Sequence, residues 1–315
     1  MLAFVLEGKT AGLSREHPEP VAPDGFVSVR MRTAGVCNTD LELVRGYMGF
    51  GGVLGHEFVG EALEGKFSGR RVVGGINFGC GTCSTCIAGM ARHCPERTVL
   101  GILGADGVLA EQFVIPERNL LVVPDSVSDA MAAFTEPVAA ACEIIDQLPS
   151  DFPRGRALVL GDGKLGPLIA QVLAANGFDV ALVGRHTDTL RWIRDNGVTL
   201  GTTIPADTVY DLVVDATGSS EGLEAAIAAT RPRGVLVLKT TVAGAHKVHL
   251  APLVINEIMV IGSRCGRFAP ALELLADGRV NVRPLVAAEY ALDAVEEGFA
   301  YAGTRGVRKV LVRND

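Results

Sequence analysis

The sequence predicts an α/β protein in which a doubly wound parallel sheet is combined with a second, mostly-β domain. Residues 1–149 are rich in Gly and Pro and carry short apolar runs between turn residues, a texture typical of short β-strands. From about Arg156 onward, apolar runs alternate with helical segments, which indicates βαβ units and a parallel sheet. The 315 residues also suffice for two domains, because single hydrophobic cores stop growing near about 250–300 residues.

The predicted elements can be placed in order along the chain. In the first domain the clearest strands are 27–31, 72–75 and 120–123. In the second domain we predict strands at 157–160, 180–183, 212–215 and 235–238, and helices at 165–176, 187–196 and 221–230. After Pro284 a short strand, a helix near 291–302 and a strand at 309–313 close the chain. We therefore predict domains at 1–149 and 150–284, with 285–315 returning to the first domain.

Composition narrows the classes of partner. Hydrophobic residues make up 48% of the chain and charged residues 21%. The net charge is -7, so a nucleic acid is not expected as a partner, because binding to its phosphate backbone rests on clustered Lys and Arg. No apolar run approaches the roughly 18–20 residues of a membrane span, and no basic region precedes an apolar run at the N-terminus. We expect a cytoplasmic protein with a small-molecule partner and neither a nucleic acid nor a membrane partner.

A glycine fingerprint lies at the start of the second domain. Gly161, Gly163 and Gly166 directly follow a predicted strand and open a predicted helix. In this context the first glycine permits a tight turn, the second lets the backbone approach a pyrophosphate, and the third allows close helix-to-strand packing. The strand before it, the helix after it and a second strand about 20 residues on together favour a dinucleotide site over a glycine-rich turn without a ligand. We expect cofactor contacts from Gly161, Gly163, Lys164, Leu165, Gly166, Gly184, Arg185, His186 and Thr217.

The end of the second predicted strand bears on which dinucleotide binds. An NAD-binding protein places an acidic residue there to hold the ribose 2′-hydroxyl, whereas this chain has Gly184, followed by Arg185 and His186. A guanidinium without a neighbouring carboxylate suits a 2′-phosphate, so we predict a preference for NADP(H) over NAD(H). The alternative is that Arg185 is a solvated surface charge and that the cofactor is NAD.

Four cysteines lie within fifteen positions, as Cys80, Cys83, Cys86 and Cys94. This spacing can bring four thiolates around one ion, the closed tetrahedral arrangement of a structural Zn²⁺. A redox-active pair needs only two cysteines, and nothing else in the chain indicates the electron transfer of an iron–sulfur cluster. We predict a structural zinc that stabilises this lobe without taking part in chemistry.

Two further fragments carry metal-ligand side chains, Gly35–Asp40 around Cys37 and Gly55–Gly60 around His56. Alone, each residue is more often structural. Together with the cysteine cluster and the nucleotide fingerprint, however, they resemble the GVC-x-T-D and GHE-x-x-G fragments of the zinc-dependent medium-chain dehydrogenase/reductase family. The resemblance covers nearly the whole chain. It implies a GroES-like catalytic domain, a Rossmann domain, and a catalytic zinc on Cys37 and His56 beside the structural one.

The resemblance also implies a third zinc ligand. In the branch that looks like sorbitol, glucose and threonine dehydrogenases it is a carboxylate in a Glu-Pro pair, which here is Glu136-Pro137. We favour Glu136, binding directly or through water, over Cys142, which we expect in the core. Glu57 is a close neighbour or an alternate ligand. Asp40 is expected to orient the imidazole of His56.

The resemblance implies zinc-assisted hydride transfer between an alcohol, polyol or amino alcohol, or the matching carbonyl, and NADP(H). Thr39 would relay the proton, although a helix-capping role is the alternative. A zinc-free quinone or enoyl reductase and a non-catalytic NADPH- and zinc-binding protein are the competing interpretations, and the retained set Cys37, His56, Glu57 and Glu136 speaks against both. The resemblance further implies a homodimer or homotetramer.

Overall fold

The computed structural model describes residues 1–239 and 248–314. These residues divide into two compact units, one formed by Met1–Glu136 with Leu285–Asp315 and the other by Pro137–Pro284. The first division lies near the start of the helix Thr135–Gln147, and the second lies between Pro284 and Leu285. No helix within the described ranges is long and apolar enough to cross a membrane.

The first unit is mainly β-structure. Its strands before the division are β1 Ala3–Glu7, β2 Thr10–Ser14, β3 Phe26–Val36, β4 Gly52–Val53, β5 Glu57–Ala62, β6 Arg71–Gly74, β7 Asn77–Phe78, β8 Thr98–Leu100, β9 Gly104–Ala105, β10 Gln112–Pro116 and β11 Leu120–Val122. The helices of this stretch are α1 Asn38–Val44, α2 Ser84–Ile87, α3 Asp129–Ala132 and α4 Thr135–Gln147, the last of which continues across the division.

The second unit alternates strands and helices as the sequence predicts. Its strands are β12 Arg156–Leu160, β13 Asp179–Val183, β14 Val198–Gly201, β15 Tyr210–Asp215, β16 Thr230–Leu238 and β17 Met259–Gly262, and its further helices are α5 Gly166–Ala175, α6 Ser220–Ala229, α7 Ala251–Ile255 and α8 Phe268–Ala276. The chain then returns to the first unit with β18 Val286–Ala291, α9 Val295–Ala302 and β19 Lys309–Arg313. Thr187–Asn196 forms 3-10 turns with a kink at Leu190 in place of a regular helix.

The main sheet of the first unit is built around β3. In its first half, buried Val27, Val29 and Met31 alternate with more exposed neighbours, the period-two pattern of a strand with one solvated face. Its last four residues, 33–36, are buried without interruption. At this end β5 and β19 pair with β3 on its two sides, both antiparallel, so the strand that leads to Cys37 is hydrogen-bonded along both edges.

The sheet of the second unit is entirely parallel, in the order β14-β13-β12-β15-β16-β17. The strand β12 is buried from Ala157 to Leu160, as expected for a strand covered on both faces. The helix α5 is buried continuously over its first eight residues, so it packs on all sides. This is the doubly wound Rossmann arrangement that the sequence predicts, with the strand order reversing beside β12.

Candidate active site and nucleotide site

Three metal-ligating side chains converge where β3 ends and β5 begins. Cys37 is the N-cap of α1, directly after β3, while His56 precedes β5 and Glu57 is its first residue. The pairing of β3 with β5 sets Gly35 opposite Glu57. The sulfur, imidazole nitrogen and carboxylate oxygen of Cys37, His56 and Glu57 all lie within 4.8 Å of one another.

Asp40 holds two of these groups in position. Its carboxylate accepts a hydrogen bond from the backbone N–H of Cys37 at 2.8 Å and lies 3.1 Å from Nδ1 of His56. Asp40 is fully buried and His56 is 3% exposed. When Nδ1 donates to Asp40, a neutral imidazole carries no proton on Nε2, which is then available as a ligand, the arrangement that metal-bound histidines need. The predicted orienting role of Asp40 thus has a structural basis.

Lys309, the first residue of β19, forms a buried ion pair with Glu57. Burial lowers the pKa of Lys309, but the charges of Glu57 and Cys37 raise it by more, so the net shift of the pKa is upward and the amine stays protonated. Gly35 makes the pair possible, because a Cβ at this position would overlap the carboxylate of Glu57. One negative and one positive charge therefore lie buried side by side near Cys37.

The donor set fits zinc. A thiolate, an imidazole and a carboxylate are the ligand types of catalytic zinc sites, which bind through three protein groups and leave one position open. Burial lowers the pKa of His56, whereas the charges of Asp40 and Cys37 raise it by more, so the net shift in the pKa is upward.

The other predicted site residues lie as follows. Thr39 is the second residue of α1, with its hydroxyl 3.7 Å from the sulfur of Cys37, so it is close to the donor group without being the N-cap. Glu136 is half-buried in the first turn of α4 and contributes to the electrostatic field on Lys309. Within the described residues, the donor group that includes Cys37 and His56 contains Glu57 and not Glu136.

Cys142 is buried in α4, as expected for a core residue, and burial raises its pKa to about 12.

The four clustered cysteines also converge. The sulfurs of Cys80 and Cys86 are 3.9 Å apart and those of Cys83 and Cys94 are 3.8 Å apart, with all four inside 4.8 Å. Backbone N–H groups point at the sulfurs, and hydrogen bonds from Thr82 lower the pKa of Cys80 to about 6. Amide donors around a closed set of four thiols suit a structural zinc.

The three fingerprint glycines occupy distinct environments. Gly161 has φ +108°, and a Cβ there would lie 2.6 Å from the carbonyl oxygen of Ala216. A Cβ on Gly166 would overlap the carbonyl oxygen of Gly161, so close packing of α5 on β12 requires glycine. Gly163, in contrast, has no atom within 4 Å of its Cβ position, which leaves room for a ligand. The environments of Gly161 and Gly166 fit a tight turn and close packing of the helix on the strand, whereas the phosphate role of Gly163 stays a prediction.

The remaining predicted cofactor residues surround this turn. Half-buried Lys164 and Leu165 immediately precede α5, and Gly184 directly follows β13, with Arg185 and His186 exposed beyond it. The hydroxyl of Thr217 donates to Asp215 at 2.7 Å and accepts from the backbone N–H of Ser219, so this side chain shapes the turn after β15.

Sequence reasoning missed two residues. Lys309 reads as the start of an apolar strand, and only its position within a buried run could have drawn attention to it. Asp162 lies inside the fingerprint, and its carboxylate accepts a hydrogen bond from the backbone N–H of His186, 24 residues away. The sequence signal that could have identified Asp162 is a carboxylate at a position where small or apolar residues are commoner.

A parallel dinucleotide-type sheet and a β-rich unit with a zinc-type donor group define an oxidoreductase of the alcohol dehydrogenase type, and comparison with known proteins agrees. The family model of the alcohol dehydrogenase GroES-like domain matches residues 23–125, and that of the glucose dehydrogenase C-terminus matches residues 129–312. A sorbitol dehydrogenase from Halalkalibacterium halodurans is 28% identical over 326 residues, covering 95% of this chain and 94% of the relative.

Two solved structures share the fold at 24% identity and a TM-score of 0.87. One, described as a short chain alcohol dehydrogenase from E. coli, is complexed with NADH and matches over 99% of both chains. The other, described as a zinc-binding dehydrogenase from Sinorhizobium meliloti, is bound to NADP and matches over 99% of this chain and 98% of that one. The chain belongs to the zinc-dependent medium-chain dehydrogenase/reductase family, which confirms the predicted family and fold class.

Proposed function

We propose that this protein is a zinc-dependent oxidoreductase that interconverts an alcohol, polyol or amino alcohol and the matching carbonyl compound, using a nicotinamide dinucleotide. The observation that carries the proposal is the converged group Cys37, His56 and Glu57, with His56 oriented by Asp40. The sorbitol dehydrogenase among the relatives supports a polyol-type substrate.

Each side chain has a defined task in this proposal. Cys37, His56 and Glu57 would hold the catalytic zinc, which when bound supplies Lewis-acid polarisation of the substrate oxygen. Asp40 keeps His56 in the tautomer that can bind, and Lys309 balances the charge of Glu57. The hydroxyl of Thr39 accepts the proton from the substrate hydroxyl and passes it on towards solvent. The nicotinamide supplies the hydride acceptor or donor.

The third ligand can be tested with matched variants. Glu57→Gln and Glu136→Gln each remove one carboxylate charge, and Cys142→Ala removes the buried thiol. We expect Glu57→Gln to weaken zinc binding most and Cys142→Ala to leave it unchanged. A loss confined to Glu136→Gln would assign the role to the Glu-Pro carboxylate that the sequence favours.

We propose NADP(H) as the preferred cofactor. Support comes from Gly184, which carries no carboxylate of its own, and from the exposed guanidinium of Arg185, which can pair with a 2′-phosphate. NADPH is expected to bind more tightly than NADH, and Arg185→Ala should narrow the difference in Kd. An unchanged ratio would show that Arg185 does not contact the phosphate.

The decisive experiment is metal analysis followed by a substrate screen. Mass spectrometry of metals should find two zinc ions per chain, one on the four cysteines and one on the Cys37 group. A single zinc, retained in Cys37→Ser, would refute the catalytic metal. A screen of secondary alcohols, sugars, polyols and amino alcohols with NADP⁺ should then reveal turnover that Cys37→Ser abolishes.

We also propose a cytoplasmic homodimer or homotetramer. No disulfide joins two cysteines within the described ranges, which fits a reducing compartment. The edge strand β17 exposes Met259 and Val260, and neighbouring α7 exposes Val254 and Ile255. Such an edge suits pairing of two copies across a twofold axis. Light scattering after size exclusion should give a multiple of 33.0 kDa, and Val260→Lys should reduce it.

A further inference from the structure

The carboxylate of Asp162 lies beside the end of β13, although Asp162 belongs to a different segment of the chain. In the dinucleotide-binding fold the residue just after this strand usually carries the acid for the ribose hydroxyls, and here that residue is Gly184. The space of the missing side chain is nevertheless filled, because a Cβ built on Gly184 would overlap the Cβ and Cγ of Asp162 and lie 2.7 Å from its Oδ1.

Asp162 is fixed in this position. Its Oδ2 accepts the backbone N–H of His186, which ties the fingerprint turn to the segment that follows β13. The residue is half-buried, so it can be reached from solvent. The backbone of Gly184 is not in the left-handed region, so glycine is needed here because the Asp162 side chain occupies the space of a Cβ. The residues at positions 162 and 184 are therefore coupled.

We propose that Asp162 binds the adenosine ribose hydroxyls of NAD(H) and so sets how strongly the site prefers NADP(H). This rests on the proposed dinucleotide site. The carboxylate takes the place of the acid that β13 lacks and accepts hydrogen bonds from the 2′- and 3′-hydroxyls. Towards a 2′-phosphate the same charge is repulsive and opposes the attraction of Arg185. The site therefore holds both groups, one for each form of the cofactor.

The test measures the Kd of NADH and of NADPH for the full chain by the fluorescence of the reduced nicotinamide. Asp162→Asn keeps the shape and the hydrogen bond from His186 but removes the charge. Because a hydrogen bond to a charged acceptor accounts for a factor of about ten or more, Asp162→Asn should raise the Kd of NADH about tenfold. The Kd of NADPH should stay the same or fall. Asp188→Asn, in the same exposed segment, controls for the change in overall charge and should leave both constants unchanged.

A rescue variant separates ligand binding from a structural role. Asp162→Gly combined with Gly184→Asp moves the carboxylate to the strand end, where removal of the whole Asp162 side chain, Cβ included, has made space for it. This double variant should recover NADH binding that Asp162→Gly alone loses.

Three outcomes would overturn the proposal. Equal weakening of both cofactors in Asp162→Asn would mean that Asp162 only supports the turn, and unchanged constants would mean that it contacts neither ribose. Failure of the unaltered chain to bind either dinucleotide would refute the proposed nucleotide site itself, and this inference with it.

Discussion

Replacing Asp40 by Asn tests how the zinc site is organised, because the substitution changes charge and hydrogen-bond polarity while keeping the shape. The native carboxylate accepts two hydrogen bonds, from the N–H of Cys37 at 2.8 Å and from Nδ1 of His56 at 3.1 Å. An amide has one oxygen and one NH₂ group, so it can accept only one of these bonds in the same place.

Both orientations of the amide are costly. If its oxygen faces Cys37, its NH₂ group faces His56 and requires Nδ1 to be the acceptor, which moves the ring proton to Nε2 and blocks that nitrogen as a ligand. If the amide is reversed, the tautomer survives but the capping bond at the start of α1 is lost, at about 1 kcal/mol of stability. Loss of such an orienting partner lowers metal affinity by about 10–100-fold, which corresponds to about 1.4–2.7 kcal/mol.

The assay is competition for zinc against a chromophoric chelator. The four-cysteine site provides an internal reference, because its zinc should be released at the same chelator concentration in both proteins. Asp129→Asn is the matched control, since Asp129 lies in the same unit and pairs with Arg32 and Arg71 instead of with the donor group. If Asp40→Asn retains the second zinc as tightly as the unaltered chain, the orienting role is refuted.

Further substitutions test the buried ion pair and the glycine turn. Lys309→Met leaves Glu57 as an uncompensated charge that is 1% exposed, so urea unfolding should show a loss of about 3–5 kcal/mol, partly recovered in Lys309→Met with Glu57→Gln. A loss below about 1 kcal/mol, the size typical of a surface pair, would contradict the assignment. Gly166→Ala places a Cβ against the carbonyl oxygen of Gly161, so the free energy of unfolding should fall by about 1–3 kcal/mol through overpacking. Gly163→Ala places its Cβ in open space, so it should keep the stability while losing NADPH affinity. Equal melting temperatures for the two alanine variants would refute this difference.

Local patterns in the sequence were sufficient for much of this structure. The glycine spacing predicts the turn before α5, and the alternation of strands and helices predicts the parallel sheet, because both depend on residues close together in the chain. The fragments around Cys37 and His56 indicate a zinc site only through their resemblance to the family, and the pairing of β3 with β5 brings the two fragments together.

The partners of these groups could not be predicted in the same way. Lys309 lies 252 positions from Glu57, and nothing in a short apolar strand indicates which distant carboxylate its first residue will meet. Glu57 and Glu136 are both carboxylates beside family motifs, and only the register of β3 with β5 places Glu57 next to Cys37. Asp162 and Gly184 are separate anomalies in the sequence, and their mutual packing becomes visible only in three dimensions.

The pairing of β19 with β3 has a consequence for synthesis of the chain. Cys37, His56 and Glu57 leave the ribosome early, but the lysine that neutralises Glu57 follows 252 residues later. At a translation rate of about 5–20 residues per second, this delay is roughly 10–50 s. During that interval the nascent first unit lacks β19, the strand that pairs with β3, while the whole parallel sheet of the second unit is being made. The ion pair of Glu57 with Lys309 can therefore form only after the second unit has been synthesised.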